Sequence, residues 1–264
     1  MNHVSRDFSA GDGRKYRLHS WELRQGGFRR IALYWGNGLW SPDRETRLLD
    51  FLIGKGFKVV ALDLAFGSAN PPFASLKAFR KAAAALVEEM AASRLPLYVI
   101  ASSFSASALL GFMDRLGPIA AAALIAPVLR FPPPGLSSGF PCFLPAFLRV
   151  DARMLSGEIA LLDGLMDQER RCRFGKGDLR ALASENPLSR AAFLSGRAAV
   201  FAGEDDPLLG TEELGELEKA GLEVRSYPRS RREIGRDRYA DNFYADMGSF
   251  FERMETIEAR KRKA

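Results

Sequence analysis

The chain has 264 residues, 47% of them hydrophobic and 27% charged, a globular balance that excludes a disordered, collagenous or coiled-coil protein. Its net charge of +6 is concentrated, because Arg225 to Arg238 and Arg260 to Lys263 each carry +4 and leave the remainder slightly acidic. That distribution excludes a nucleic-acid-binding face.

Two cysteines, Cys142 and Cys172, are too few for a disulfide framework, and Met1 to Asp7 is polar rather than signal-like. The longest apolar run, Ile119 to Leu129, contains Pro127. It falls short of the roughly 18 residues that a spanning helix needs. The expectation is a cytoplasmic protein with no transmembrane segment.

In chain order, Val4 to Ser9 and Lys15 to Leu23 read as a β-hairpin around Gly11-Asp12-Gly13. Arg30 to Trp35 is a strand ending in Gly36-Asn37-Gly38, and Arg44 to Lys55 has apolar residues at helical spacing. Phe57 to Leu64 (strand), Leu76 to Ala92 (helix), Leu97 to Ala101 (strand), Ala106 to Leu116 (helix) and Ala120 to Ala126 (strand) continue the alternation. Each parallel crossover needs a helix, so this order predicts an α/β fold with a mostly parallel sheet covered on both faces.

Between Pro127 and Pro187 the alternation stops, and prolines mix with aromatics, as in an inserted cap. The sheet pattern resumes at Arg197 to Ala202, then a helix from Thr211 to Ala220, a strand at Glu223 to Tyr227 and a closing helix from Asn242 to Ile257. The division expected is a core of 1–129 and 188–257, a cap or lid of 130–187, and a frayed basic tail of 258–264.

The stretch Ser103-Phe104-Ser105-Ala106-Ser107 follows a strand and opens a helix. A nucleophile elbow, Gly-x-Ser-x-Gly, needs small residues two before and two after its serine, because the sharp turn brings their backbones together. Ser105 with Ser103 and Ser107 satisfies that requirement; a serine-rich helix cap is the plainer alternative.

With its neighbours this motif resembles the α/β-hydrolase family, in particular the branch of monoacylglycerol lipases and serine aminopeptidase-like proteins, over nearly the whole chain. Tyr34-Trp35-Gly36-Asn37-Gly38 is similar to that branch's His-Gly-x-Gly oxyanion loop, with Trp35 in the histidine's place. Gly56 to Gly67, which ends Asp63-Leu64-Ala65-Phe66-Gly67, is similar to its Gly-Phe/Tyr-x-Val strand leading into Asp-x-x-Gly-x-Gly. Gly203-Glu204-Asp205-Asp206-Pro207 matches its acid motif, with Asp206 as the acid and Asp205 as the fallback.

The resemblance implies a catalytic histidine in a Tyr-Pro-x-x-x-His-Glu context. Here Tyr227 and Pro228 are followed by Arg232-Glu233, so Arg232 stands at the histidine position. The chain's two histidines, His3 and His19, both fall in the hairpin. A guanidinium has no acceptor lone pair and cannot take a serine's proton.

Two readings follow. One is a pseudohydrolase that binds a small apolar acyl-type ligand or a partner, with Arg232 paired to Asp206. The other is an active hydrolase of an ester, thioester or amide, using His19 or Asp206 through water as its base. Both expect Ser105, Asp206 and Arg232 together, oxyanion donors at Asn37 and Ala106, and a pocket walled by Trp35, Trp40 and Phe104. Apolar residues from Phe131 to Leu148 serve either as core packing or as an acyl-binding lid. Arg229, Arg231 and Arg232 raise the further expectation of an anion site at the mouth. No cofactor, metal or nucleotide is expected, since Gly36-Asn37-Gly38 lacks the Lys-Ser/Thr ending of a phosphate loop.

Overall fold

The computed structural model describes residues 1–11, 13, 15–37, 41–63, 76–129 and 187–261, together with the backbone of 147–149 and 171–173. Its frame is an eight-stranded sheet in the order β1-β2-β4-β3-β5-β6-β9-β10. These strands are β1 (Asn2–Ser9), β2 (Lys15–Glu22), β3 (Arg30–Trp35), β4 (Phe57–Leu62), β5 (Leu97–Ser102), β6 (Ala121–Ile125), β9 (Ala198–Gly203) and β10 (Glu223–Tyr227). β1 and β2 form the antiparallel hairpin, in which Gly11 and Gly13 take positive φ at the turn. β2 joins β4 antiparallel, and every later pairing is parallel.

The parallel strands are apolar on both faces because helices cover both. Leu33, Val60, Val99 and Leu124 point to one side, against α2 (Leu76–Ala91), α3 (Phe104–Leu110) and α4 (Thr211–Lys219). Ala32, Tyr34, Ile100 and Phe201 point to the other, against α1 (Thr46–Gly54) and α5 (Ala240–Lys261). Among the described residues, no helix is long and apolar enough to cross a membrane.

Two expectations are corrected. The helix placed at Ala106 to Leu116 begins two residues earlier, at Phe104, and stops at Leu110, where Gly111 ends it before a 3₁₀ turn at Met113–Arg115. The closing helix runs through Lys261, so most of the stretch expected as a frayed tail is helical. Glu258 and Lys261 pair at 2.8 Å across that last turn, and the basic residues there oppose the negative end of the helix dipole. Within the expected cap, β7 (Phe147–Arg149) and β8 (Arg171–Arg173) form a short antiparallel ribbon. The rest of the cap lies outside the described residues, apart from Pro187, which opens a 3₁₀ turn to Leu194.

Candidate active site

β5 ends at Ser102 and α3 begins at Phe104, so the whole strand-to-helix reversal is made by Ser103. Its φ of 57° and ψ of −127° are nearly forbidden to a residue with a Cβ, and such strain persists only where neighbours over-determine it. Here the Ser103 N–H donates to the Ile125 carbonyl at 2.8 Å. The Ser107 hydroxyl accepts from the Val128 N–H at 2.7 Å and ties α3 to the segment beyond β6.

The elbow therefore lies at Ser103 and not at the expected Ser105. The small residues two before and two after are Ala101 and Ser105, both buried. Ser105 sits on the first turn of α3, where its hydroxyl donates to the Gly36 carbonyl at 2.7 Å. The amide that follows the elbow belongs to Phe104, while the expected donor Ala106 is a fully buried helical residue.

Ser103, Asp206 and Arg232 all follow carboxyl ends of parallel strands, the edge where open α/β sheets gather their sites. Asp206 is buried beyond β9, whereas the fallback Asp205 is exposed. Arg232 is buried beyond β10, and its Nη1 donates to both Asp206 oxygens at 2.8 Å. Its Nη2 donates to Ser103 Oγ at 3.1 Å and to the Ala126 carbonyl. Burial raises the Asp206 carboxyl above its ordinary range, while Arg232 and the Leu208 N–H pull it down.

Gly203 makes this convergence possible. A Cβ there would overlap the carbonyl oxygens of Ser230 and Arg231, so only glycine lets the loop carrying Arg232 lie against the end of β9. Two backbone bonds fasten the approach, Glu204 N–H to Tyr227 and Asp205 N–H to Ser230, each 3.0 Å. Gly203→Ala is expected to push that loop away and cost about 3 kcal/mol, read as a lower urea midpoint.

Other expected site residues are placed differently. Trp35 has no exposed surface and packs in the core with Leu62 and Ala106, because its position on β3 turns it toward α2 and α3 and not toward the mouth. Phe104 is partly exposed and leans on that same core. Trp40 lies outside the described residues. The expected anion site is not formed by Arg232, whose side chain is 4% exposed and whose two terminal nitrogens are engaged by Asp206, Ser103 and Ala126.

His3 and His19 bond each other at 3.0 Å in the hairpin. His19 is on β2, three strands from β5, a separation of roughly 14 Å at the usual strand spacing. Burial lowers its basicity, and its Nε2 stands 4.0 Å from Asp63. His19 therefore does not reach the elbow, and both Asp206 oxygens accept from Arg232.

Sequence reading missed a second polar cluster beside the elbow. Tyr34, Glu45, Ser102, Arg232, Glu233 and Arg236 line a cavity of about 30 Å³, enough for a water molecule. The signal available was Glu233 itself, the residue directly after Arg232 in the motif.

No family model matches the sequence, and no curated protein matches it. Solved structures do match in shape. A monoacylglycerol lipase from Paleococcus ferrophilus superposes with a TM-score of 0.76 at 14% identity, covering 90% of this chain and 99% of that one. A soluble variant of monoglyceride lipase from Saccharomyces cerevisiae, in complex with a substrate analogue, gives 0.77 at 13% identity over 96% and 95%. A thermostable carboxyl esterase from Bacillus coagulans, in complex with glycerol, gives 0.70 at 15% over 96% and 99%. The chain has the α/β-hydrolase fold.

Proposed function

We propose that this chain is a hydrolase-fold protein without working Ser-His-Asp catalysis, which binds a small apolar acyl-type ligand at a mouth bounded by Ser103 and the Gly36–Asn37 loop. The observation that carries this reading is the bond from Arg232 to Ser103 Oγ. In a working triad the residue at that point accepts the serine's proton and the carboxylate orients it. Here the contact runs the other way: the guanidinium donates, and Asp206 neutralises it.

The ester or lipid character of the ligand follows from likeness to neighbours described as lipases and esterases. The cytoplasmic placement rests on the cysteine content, two in 264 residues, which is too low for a disulfide framework.

Wild type is expected to turn over short p-nitrophenyl esters barely faster than Ser103→Ala, and to resist labelling by a fluorophosphonate. Removing one member of a triad forfeits most of the rate, because the members act as a unit. Ser105→Ala is the control for the alternative elbow. A wild-type rate thousands of times above Ser103→Ala would sink the proposal. That outcome would favour the second reading, an active ester, thioester or amide hydrolase with an unconventional base. The strained backbone of Ser103 supports that alternative, since it presents the hydroxyl as a nucleophile needs.

A further inference from the structure

The loop that ends β3 is gripped from two directions. From α3, the Ser105 hydroxyl donates to the Gly36 carbonyl at 2.7 Å. From the segment after β10, Glu233 Oε1 accepts the Asn37 side-chain amide at 2.9 Å. Arg232 and Glu233 are consecutive, so one short segment reaches both the elbow and the loop opposite it.

Glu233 belongs to a crowded cluster in which two carboxylates, each 13% exposed, share one guanidinium. Arg236, on the turn Ile234–Arg236, bonds Glu45 Oε2 at 3.0 Å and lies 3.9 Å from Glu233 Oε2. Tyr34 from β3 donates to Glu45 Oε1 at 3.3 Å, and Tyr244 from α5 lines the same cavity. Among the described residues, the charged and titratable groups facing Glu233 are thus Glu45, Arg236, Arg232, Tyr34 and Tyr244. Burial, then the like charge of Glu45, pushes Glu233 up to about 7, against the pull of Arg236, the Asn37 amide and Arg232. Both tyrosines are raised by burial and so stay neutral donors in this range.

We infer that Glu233 is a positioning residue for the Gly36–Asn37 wall: as a carboxylate it holds the Asn37 amide firmly against the elbow, and as a carboxylic acid it loosens that hold. The chemical reason is that a hydrogen bond to an ionised acceptor is roughly twice as strong as one between neutral groups. Loss of the proton as pH rises therefore tightens the loop. The functional consequence rests on the proposed reading of that loop as a wall of the acyl-ligand site, and the experiment separates the two.

Protein labelled with ¹⁵N only at asparagine carries its label at Asn2, Asn37, Asn70, Asn186 and Asn242, and Asn37→Ala identifies the Asn37 side-chain signal. Between about pH 5.5 and about pH 8.5 that signal is expected to titrate with a midpoint near 7, and to stay flat in Glu233→Gln. Glu45→Gln, which removes the like charge and leaves Glu233 intact, is expected to lower the midpoint by about one pH unit. A flat Asn37 signal in wild type, a titration that persists in Glu233→Gln, or a midpoint unmoved by Glu45→Gln overturns the inference. Affinity for a non-hydrolysable monoacylglycerol ether, measured by calorimetry, is expected to be about threefold tighter at the upper pH, and pH-independent in Glu233→Gln. Affinity that does not follow the Asn37 titration overturns the link from clamp to site. An Asn37 titration with no ligand bound at any pH supports the clamp and counts against the proposed ligand.

Discussion

Arg232→His is expected to raise the hydrolysis of short p-nitrophenyl esters by about 10²–10⁴-fold over wild type, the range that a positioned general base contributes. On the proposed reading the other parts of a triad are already in place. Ser103 is presented by a strained elbow, and Asp206 faces the position through the two 2.8 Å bonds that now go to the guanidinium. The loop bearing residue 232 is anchored against Gly203, so its backbone is fixed before the side chain is chosen. An imidazole is shorter than an arginine side chain, which places the gain at the low end of the range unless the loop closes inward. Activity should rise with pH through the ordinary histidine range near about 6.5, because only neutral imidazole accepts a proton. The double variant Arg232→His/Ser103→Ala should return to background. A folded Arg232→His protein with no gain would mean that Ser103 and Asp206 do not form the remainder of a triad.

Much of this arrangement was legible in the sequence. β3, β4, β5 and β6 are continuous apolar runs separated by helical patterns, and that alternation has few solutions other than a parallel sheet covered on both faces. Asp206 and Arg232 stood at fixed distances from the ends of recognisable strands. The elbow was harder, because Ala101, Ser103, Ser105 and Ser107 place a small residue at every second position and the spacing rule fits two registers equally well. Only the point at which β5 ends distinguishes Ser103 from Ser105, and element boundaries are what local pattern specifies least. Trp35 was misplaced for a related reason: the direction of its side chain is set by strand parity, not by the motif it interrupts. The cluster joins Tyr34 on β3, Glu45 just ahead of α1, and the neighbouring Glu233 and Arg236 beyond β10, three segments far apart in the chain. No local pattern announces a contact between residues so far apart in the chain.

Arg232→Met is expected to destabilise the protein by about 3–5 kcal/mol, the usual cost of leaving one member of a buried ion pair behind. At roughly 2–4 °C per kcal/mol for a chain of this size, the melting temperature should fall by roughly 6–20 °C. The loss comes from the survivor rather than from the pair. The Asp206 side chain has no solvent exposure, and without Arg232 it keeps one backbone N–H, from Leu208, to offset its charge. Ser103 Oγ and the Ala126 carbonyl lose their donor in the same step. The penalty should depend on pH in a defined sense. Burial already raises Asp206 in the folded state, and removing Arg232 takes away the main opposing pull. A carboxyl whose folded-state value is raised favours folding while protonated, and that contribution is lost as pH rises through the raised value. The gap between wild type and Arg232→Met should therefore be widest at neutral pH and above, and should narrow on acidification. Asp206→Leu in the Arg232→Met background removes the stranded carboxylate, and should recover much of the lost stability because an apolar pair replaces an ionic one at little net cost. If Arg232→Met unfolds at the wild-type denaturant midpoint, the guanidinium is not holding Asp206, and the account of a neutralised, base-free site falls with it.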